Sequence, residues 1–363
     1  MSRPTIYTIA RQCGVSHATV SLALRNSSLV AEKTRKRIQA VADEVGFRPN
    51  RLALSLKTGK SRVIGFVLPN FTYPFYSLIA EYVFQEVSLL GYQVQFVLSG
   101  SDVNQESDAI VECMDARVDG VIIFSVIPTR EKIPRGHALR MIQKKNIPCV
   151  TGNYVLGFPG VSLDHHQASL LATRHLLELG YEDIRLLQLG GDKGAPVIRH
   201  SASEQSIEGF RQALKEKGIK YDASMLMSRA IRHEEIVRTL PSGSDANRVM
   251  FIEYGQYEAL GVEMAEQALA EKKGRMGIVF GHDAMACAVW RYCINKGIRI
   301  PQDVGLVGRG DILTYMMPLT TIGWDYKEQA RRLVSLLVND VDSSGKNEFV
   351  RLEPYLAVRE STG

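Results

Sequence analysis

The stretch Ser16-His-Ala-Thr-Val-Ser21 packs three hydroxyls and an imidazole into six residues, and Arg25 follows. Short polar side chains on a solvent-facing helix allow close approach to a nucleic-acid backbone. The hydroxyls of Ser16, Thr19 and Ser21, with Arg25, can reach phosphates. The surrounding charge suits that chemistry. Residues 1–62 carry 12 Lys/Arg against Glu32, Asp43 and Glu44, a net of +9, whereas the other 301 residues carry 32 basic and 36 acidic side chains, a net of −4. A basic head on a mildly acidic body is what phosphate binding by one end requires. Signatures of catalysis are missing. The chain has no GxSxG nucleophile elbow, no GxxxxGK[ST] phosphate loop, no HExxH and no GxGxxG fingerprint, so no catalytic residue is nominated and no enzyme is expected. Gly190-Gly-Asp-Lys-Gly194 is Gly-rich without the spacing of those loops and reads as a cleft-lining segment. The five cysteines form no CxxC pair and the histidines no zinc spacing. Reduced, partly buried thiols, no metal and no cofactor are the expectation.

The elements that position the polar stretch are short helices. A first helix is expected from Ile6 to about Gln12, with Ile6, Ile9 and Ala10 on one face. Gly14 suits the left-handed turn that ends it. Ser16 is an N-cap for a second helix through about Leu24, which presents His17, Ala18, Ser21 and Leu22 outward. A third runs over 32–45 with Ile38, Val41, Ala42 and Val45 inward, stopped by Gly46. Helix, tight Gly turn and second short helix make a helix-turn-helix, in which small Ala10 allows close packing. A generic three-helix bundle would not need the basic charge.

The run from Tyr7-Thr-Ile-Ala-Arg-Gln-Cys-Gly-Val-Ser-His-Ala-Thr-Val-Ser21, then Val30, Lys33-Thr-Arg35 and Gly46-Phe-Arg-Pro-Asn50, resembles the head of the lactose-repressor (LacI) family. The resemblance implies DNA contacts at Thr5, Tyr7, Ser16, His17, Ala18, Thr19, Ser21, Leu22 and Arg25. Residues 17, 18 and 22 would read base edges. The family most often has Arg at the position of Leu22 and Asn at that of Arg25. Leucine cannot fork onto guanine but can pack on a thymine methyl, so the half-site should differ from the usual one. Ala31 stands where the family usually caps the third helix with Ser, a loss of about 1 kcal/mol.

Residues 49–61 join head to body. Residues 50–57 have helix-forming composition but are too short for a stable helix alone. In the family this segment becomes a minor-groove hinge helix on DNA. The resemblance thereby adds Asn50, Arg51, Ala53 and Leu56 to the DNA contacts, with Leu56 as the leucine that wedges a base step. A plain linker whose leucines cover the body is the alternative.

From residue 62 the pattern alternates strand and helix. Strands are expected at 63–68, 93–98, 120–124 and 148–151, with helices near 75–90, 106–116 and 137–145 between them. A second series has helices at 167–179, 203–217, 257–270 and 284–296. Its strands are expected at 184–189, 248–252, 277–280 and 305–307. Two such series give two lobes of helix-covered parallel sheet, with a cleft at the carboxyl ends of the strands. The expected fold is therefore an all-α helix-turn-helix head, residues 1–48, plus an α/β body, residues 62–363. The body is expected to be a two-lobed, periplasmic-binding-protein-like (type I) fold with parallel sheets. Tyr73-Pro-Phe-Tyr76, Arg117-Val-Asp-Gly120, Val161-Ser-Leu-Asp164, His282-Asp283, Ile300-Pro-Gln-Asp-Val304, Pro318-Leu-Thr-Thr-Ile322 and Val358-Arg-Glu-Ser-Thr362 extend the family resemblance across the body.

By motif position the resemblance nominates Tyr73, Phe75, Asn153, Asp164, Ser206, Asp283 and Asp311 as ligand contacts. Core packing is the alternative for Tyr73 and Phe75, and an N-cap for Asp283. Sugar-binding relatives commonly carry Arg where this chain has Ser206, Asn at His282 and an aromatic at Arg309. The function implied is a transcriptional regulator, a repressor in the first instance. A homodimer would read a pseudo-palindromic double-stranded DNA operator, modulated by a sugar or sugar-like polar effector. A constitutive DNA-binding regulator and a solute-binding protein are the alternatives. With no secretory-signal pattern at the start and no membrane-length apolar run, no membrane association and a cytoplasmic location are expected.

Overall fold

The computed structural model describes residues 4–47, 59–71, 73–100, 102–127, 132–189, 201–229, 246–313, 317–342 and 349–363. The hinge candidates Asn50, Arg51, Ala53 and Leu56, and the loop 190–194, lie outside the described residues. Contacts divide the chain into two units, Met1–Arg62 and Val63–Gly363.

The first unit holds α1 (Ile6–Cys13), α2 (His17–Leu24) and α3 (Glu32–Glu44). Each boundary has a local cause. At the start of α1, the Thr5 hydroxyl accepts the Thr8 N–H while the Thr8 hydroxyl accepts the Thr5 N–H, so two orphan donors are satisfied reciprocally. The helix ends on Gly14 at φ 59°, a left-handed conformation that a Cβ would penalise. Ser16 caps α2 by accepting the Thr19 N–H at 3.1 Å. Ala31 offers α3 no side-chain cap. Ile9, Cys13, Val20, Ala23, Val30, Ile38 and Ala42 form a small core. Arg37 fastens α3 to the α1–α2 turn by donating to the Cys13 carbonyl at 2.9 Å.

In the second unit the chain runs β1 (Val63–Leu68), α4 (Pro74–Leu89), β2 (Gln93–Leu98), α5 (Val103–Asp115), β3 (Gly120–Ile123), α6 (Ala138–Lys145), β4 (Cys149–Thr151) and β5 (Gly160–Leu163). It continues with α7 (His165–Glu178), β6 (Asp183–Leu189), α8 (Ser201–Glu216), β7 (Leu226–Arg229), α9 (Ala246–Ala270), β8 (Met276–Phe280), α10 (Asp283–Asn295), β9 (Val304–Gly310) and β10 (Thr320–Gly323). α11 (Tyr326–Asp342), β11 (Phe349–Leu352) and β12 (Tyr355–Ala357) complete it. Among the described residues there are two six-stranded sheets, ordered β11-β5-β4-β3-β1-β2 and β12-β10-β9-β8-β6-β7. All pairings in the first are parallel, and in the second only β10 with β12 is antiparallel. The central strands β3, β8 and β9 are buried along their whole length, as parallel strands covered on both faces must be.

Each lobe is one sheet with its helices, and the chain passes between them three times. It leaves the first lobe after β5, returns to it through α11, which packs on α4 and β3, and leaves again between β11 and β12. The sequence pattern did not anticipate α11, β11 or β12, because a return to an earlier lobe leaves no periodic mark. The strand expected at 248–252 is not formed. Those residues open the 25-residue helix α9, and Gly255 lies inside it instead of ending an element. A short apolar run carries no period that separates a strand from a helix turn. All five cysteines are buried, and none of them forms a disulfide. No helix among the described residues is long and apolar enough to cross a membrane.

Candidate functional site

On the head, Tyr7 is 68% exposed and its ring lies 5.4 Å from that of His17, tilted by 40°. Tyr7 of α1 and His17 and Ala18 of the amino-terminal turn of α2 are thus exposed together. Leu22 is half-buried and packs against the head core, so only part of it is open to a base. Ser16 and Thr19 share a hydroxyl–hydroxyl bond of 2.9 Å in the cap, and Thr5 is engaged in its own cap. Arg25 is exposed, with Nε donating to the Ser21 carbonyl at 3.1 Å.

Between the lobes, Tyr73 reaches across from the loop before α4. Its hydroxyl and His282 Nδ1 form a hydrogen bond of 2.9 Å. The rings of Tyr257 and His282, both from the second lobe, lie 6.4 and 5.3 Å from its own. Burial, reinforced by the charge of Asp283, raises the Tyr73 hydroxyl pKa far above the usual phenol value, so the bridge keeps its proton.

 Phe75 stands edge-on to Phe124 and Tyr326, each at 5.5 Å, and packs against the main core.

The other nominated polar groups are held by the protein itself. Asn153 clamps the loop after β3, its Oδ1 accepting the Ser125 N–H at 2.9 Å and its Nδ2 donating to the Ser125 carbonyl at 2.7 Å. Asp164 caps α7 by accepting the Gln167 N–H at 2.9 Å. Asp311, at φ 54°, accepts from the Tyr355 hydroxyl at 2.9 Å and from Arg359 Nη2 at 2.8 Å. Asp283 is not the N-cap of α10. It is that helix's first residue, and its carboxylate turns instead to β10, accepting from the Thr321 hydroxyl at 2.6 Å and the Ile312 N–H at 3.1 Å. Burial still pushes its pKa upward.

Ser206 has a different partner. Its hydroxyl donates to the Ala202 carbonyl and accepts from Arg309 Nη1, both at 2.6 Å. Arg309 is 6% exposed, and desolvation lowers its pKa to about 10, which leaves it charged at neutral pH. The structure therefore gathers Tyr73, Phe75 and Ser206 with His282, Tyr257 and Arg309, while Asn153, Asp164, Asp283 and Asp311 brace the walls. Arg309 and His282 were not among the nominated contacts. The signal for Arg309 was a charge at the carboxyl end of an apolar strand, where α/β ligands bind.

A second polar cluster brings a serine, a glutamate and a histidine together in the first lobe. The Ser125 hydroxyl donates to Glu106 Oε1 at 2.8 Å, and Glu106 also accepts the Val126 N–H. His137 Nε2 donates to the Val103 carbonyl at 3.1 Å while its Nδ1 accepts the Leu139 N–H, which fixes a neutral tautomer. It lies 3.6 Å from Glu106, but burial lowers the histidine pKa and raises that of Glu106 to about 7. The serine thus bonds the carboxylate and not the imidazole, and the cluster holds the loop after β3.

Comparison with known families bears on the whole chain. Residues 5–50 match the model described as bacterial regulatory proteins, lacI family. Residues 61–235 match periplasmic binding proteins and sugar binding domain of LacI family, and residues 173–362 match the periplasmic binding protein-like domain. The chain belongs to the LacI family of transcriptional regulators. Among LacI-family relatives, the HTH-type transcriptional regulator DegA of Bacillus subtilis (strain 168) is 27% identical over 99% of this chain and 98% of its own. Catabolite control protein A of Priestia megaterium is 25% identical over 99% of both. The fold matches that of the lac repressor dimer bound to operator and the anti-inducer ONPF, at TM-score 0.78, 23% identity and 99% of both chains. It also matches a transcriptional regulator CelR–cellobiose complex, at TM-score 0.61, 23% identity, 99% of this chain and 100% of that one. Of the three cleft departures from the LacI-family pattern, Ser206 and Arg309 touch each other. The cleft holds a guanidinium, but β9 supplies it and α8 only steadies it.

Proposed function

We propose that this LacI-family protein is a repressor that binds a pseudo-palindromic DNA operator as a homodimer and responds to a polar effector between its lobes. It acts in the cytoplasm and catalyses no reaction. The observation that carries the reading is the exposed Tyr7–His17–Ala18 surface on a head that together with the hinge, residues 1–62, carries a net charge of +9. A head of that charge gains affinity by releasing counterions from phosphates, and the small side chains admit α2 to the major groove. Residues 1–48, 49–61 and 62–363 serve as DNA-binding head, hinge and sensor. For the dimer, support comes from Phe84 and Leu89 on α4 and Phe96 and Leu98 on the edge strand β2. All four are exposed, Leu89 by 82%, and a second copy would cover them.

Selection of binding sites from random DNA with the full chain tests this directly. A two-fold symmetric consensus is expected, with affinity falling steeply as salt rises. Enrichment of no sequence would overturn the operator reading. A constitutive regulator without an effector is the second reading, favoured by the internal bonding of Asn153, Asp164, Asp283 and Asp311. Thermal-shift measurements across a metabolite library separate the two, because an effector raises the melting temperature and an unresponsive cleft does not.

A further inference from the structure

We propose that the effector carries an oxyanion, a carboxylate or a phosphate, and that Arg309 of β9 is the residue that binds it. The inference rests on the effector reading above and adds the ligand's charge to it. Arg309 is buried, Nη1 is fixed by Ser206, and Nη2 has no hydrogen-bond partner among the described residues. No carboxylate lies within ion-pair distance of it among the described residues. A buried guanidinium so placed is a charge-assisted donor held in one orientation with one arm unused.

Its obvious counter-ion is on the wrong side of the strand. A Cβ on Gly308 would lie 2.3 Å from Asp283 Oδ1, and one on Gly310 would lie 3.1 Å from Oδ2. Residues 308 and 310 face one side of β9 and residue 309 the other, because side chains alternate along a strand. Asp283 is therefore packed against the opposite face, with both oxygens already accepting hydrogen bonds.

The free arm points to where a ligand can come. Leu187 pairs with Phe280 and Val279 with Val307; continuing the first register by one residue and the second by two puts Gln188, Gly281 and Arg309 in one row. The Gly281 N–H bonds the Leu187 carbonyl at 2.8 Å, which continues that ladder to Gly281. Side chains in one row share a face, and the middle position has none. Gln188 Oε1, at the other end of the row, is also buried without a partner. The row ends at the lobe junction, because the next residue, His282, is the one that Tyr73 meets from the first lobe. An oxyanion on Arg309 with a neighbouring hydroxyl donating to Gln188 would satisfy both orphans. A sugar acid or a sugar phosphate has that chemistry.

The test is calorimetry and thermal shift on the full chain at fixed ionic strength, with matched probes. D-gluconate, D-galacturonate and D-glucose 6-phosphate are set against D-glucose and D-galactose. We expect at least one anion to bind and its neutral counterpart to bind at least tenfold more weakly. The acids and the phosphate tell the two oxyanion sources apart. In Arg309→Met the anion should lose about 10- to 100-fold in affinity, the range for hydrogen bonds to a charged group. Arg309→Lys, which keeps the charge and loses the fork, should fall between. Circular dichroism and melting of each unliganded variant report folding separately. A neutral sugar binding as tightly as its acid overturns the inference and leaves the effector reading standing. So does anion binding that Arg309→Met leaves within threefold. Binding by no probe of either class overturns the inference and counts against the effector reading as well.

Discussion

The two faces of β9 hold opposite charges in opposite states. Below the strand, Asp283 is saturated by Thr321 and Ile312, and Gly308 and Gly310 let it sit against the backbone. On the other face, Arg309 is equally deep and has one arm bonded and one idle. A buried polar group without a partner costs free energy, so a satisfied one stabilises the fold and an unsatisfied one stores a demand for a ligand. The difference predicts that Asp283 is structural and Arg309 is functional, although both flank the same cleft.

Breaking the saturated side should have the largest effect. Asp283→Ala strands the Thr321 hydroxyl and the Ile312 N–H in the interior, and we expect a loss of about 3 kcal/mol in stability. Urea unfolding followed by circular dichroism measures it. A midpoint unchanged from the parent would remove the contrast between the two faces.

Glu106 is a saturated carboxylate in the other lobe, and its titration sharpens the comparison. Its pKa is raised to about 7 by burial, against an ordinary value of 4.5. A carboxyl whose folded pKa lies above its unfolded one contributes most below the unfolded value and loses that contribution as pH rises through the folded value. The contribution should therefore fade between about pH 4.5 and 7, by an amount on the order of 3 kcal/mol. Glu106→Gln cannot titrate. The stability difference between the variant and the parent should move in the variant's favour across that window, and a difference flat with pH would contradict the assignment. The readout is the melting temperature of both proteins in matched buffers.

How far these features could be read beforehand follows from how local their causes are. The head was legible because Gly14, Ser16 and the spacing of Ile9, Val20 and Ile38 act within a few residues of themselves. The paired lobes were legible from alternation alone. The return of α11 to the first lobe was not, and neither was the helix through Gly255. In the cleft, motif position nominated Tyr73, Phe75 and Ser206, which the fold brings to one place, and equally Asn153 and Asp311, whose bonds to Ser125 and to Tyr355 and Arg359 need the folded chain to be seen. The register that lines up Gln188, Gly281 and Arg309 is equally a property of pairing between distant strands.

Stability should respond weakly, and in the opposite direction, on the unsatisfied side. Without ligand, Arg309→Met removes an unpaired buried charge and keeps similar volume, so the melting temperature should hold or rise, by about 1 kcal/mol in stability. A clear fall in the unliganded protein would show that Arg309 is structural after all.

The smallest effect belongs to an unsatisfied helix end in solvent. Ala31 leaves the first turn of α3 without a side-chain acceptor, as Arg309 leaves a donor without one, but Ala31 is exposed and Arg309 is buried. Solvent can answer the exposed N–H groups, so the missing cap costs stability without creating a demand for a ligand. Ala31→Ser should therefore stabilise the head by at most about 1 kcal/mol, read from the head's hydrogen-exchange protection, and should leave effector binding unchanged. A change in effector affinity from that substitution would mean that exposure, which separates Ala31 from Arg309, is not what decides whether a missing partner marks a binding site.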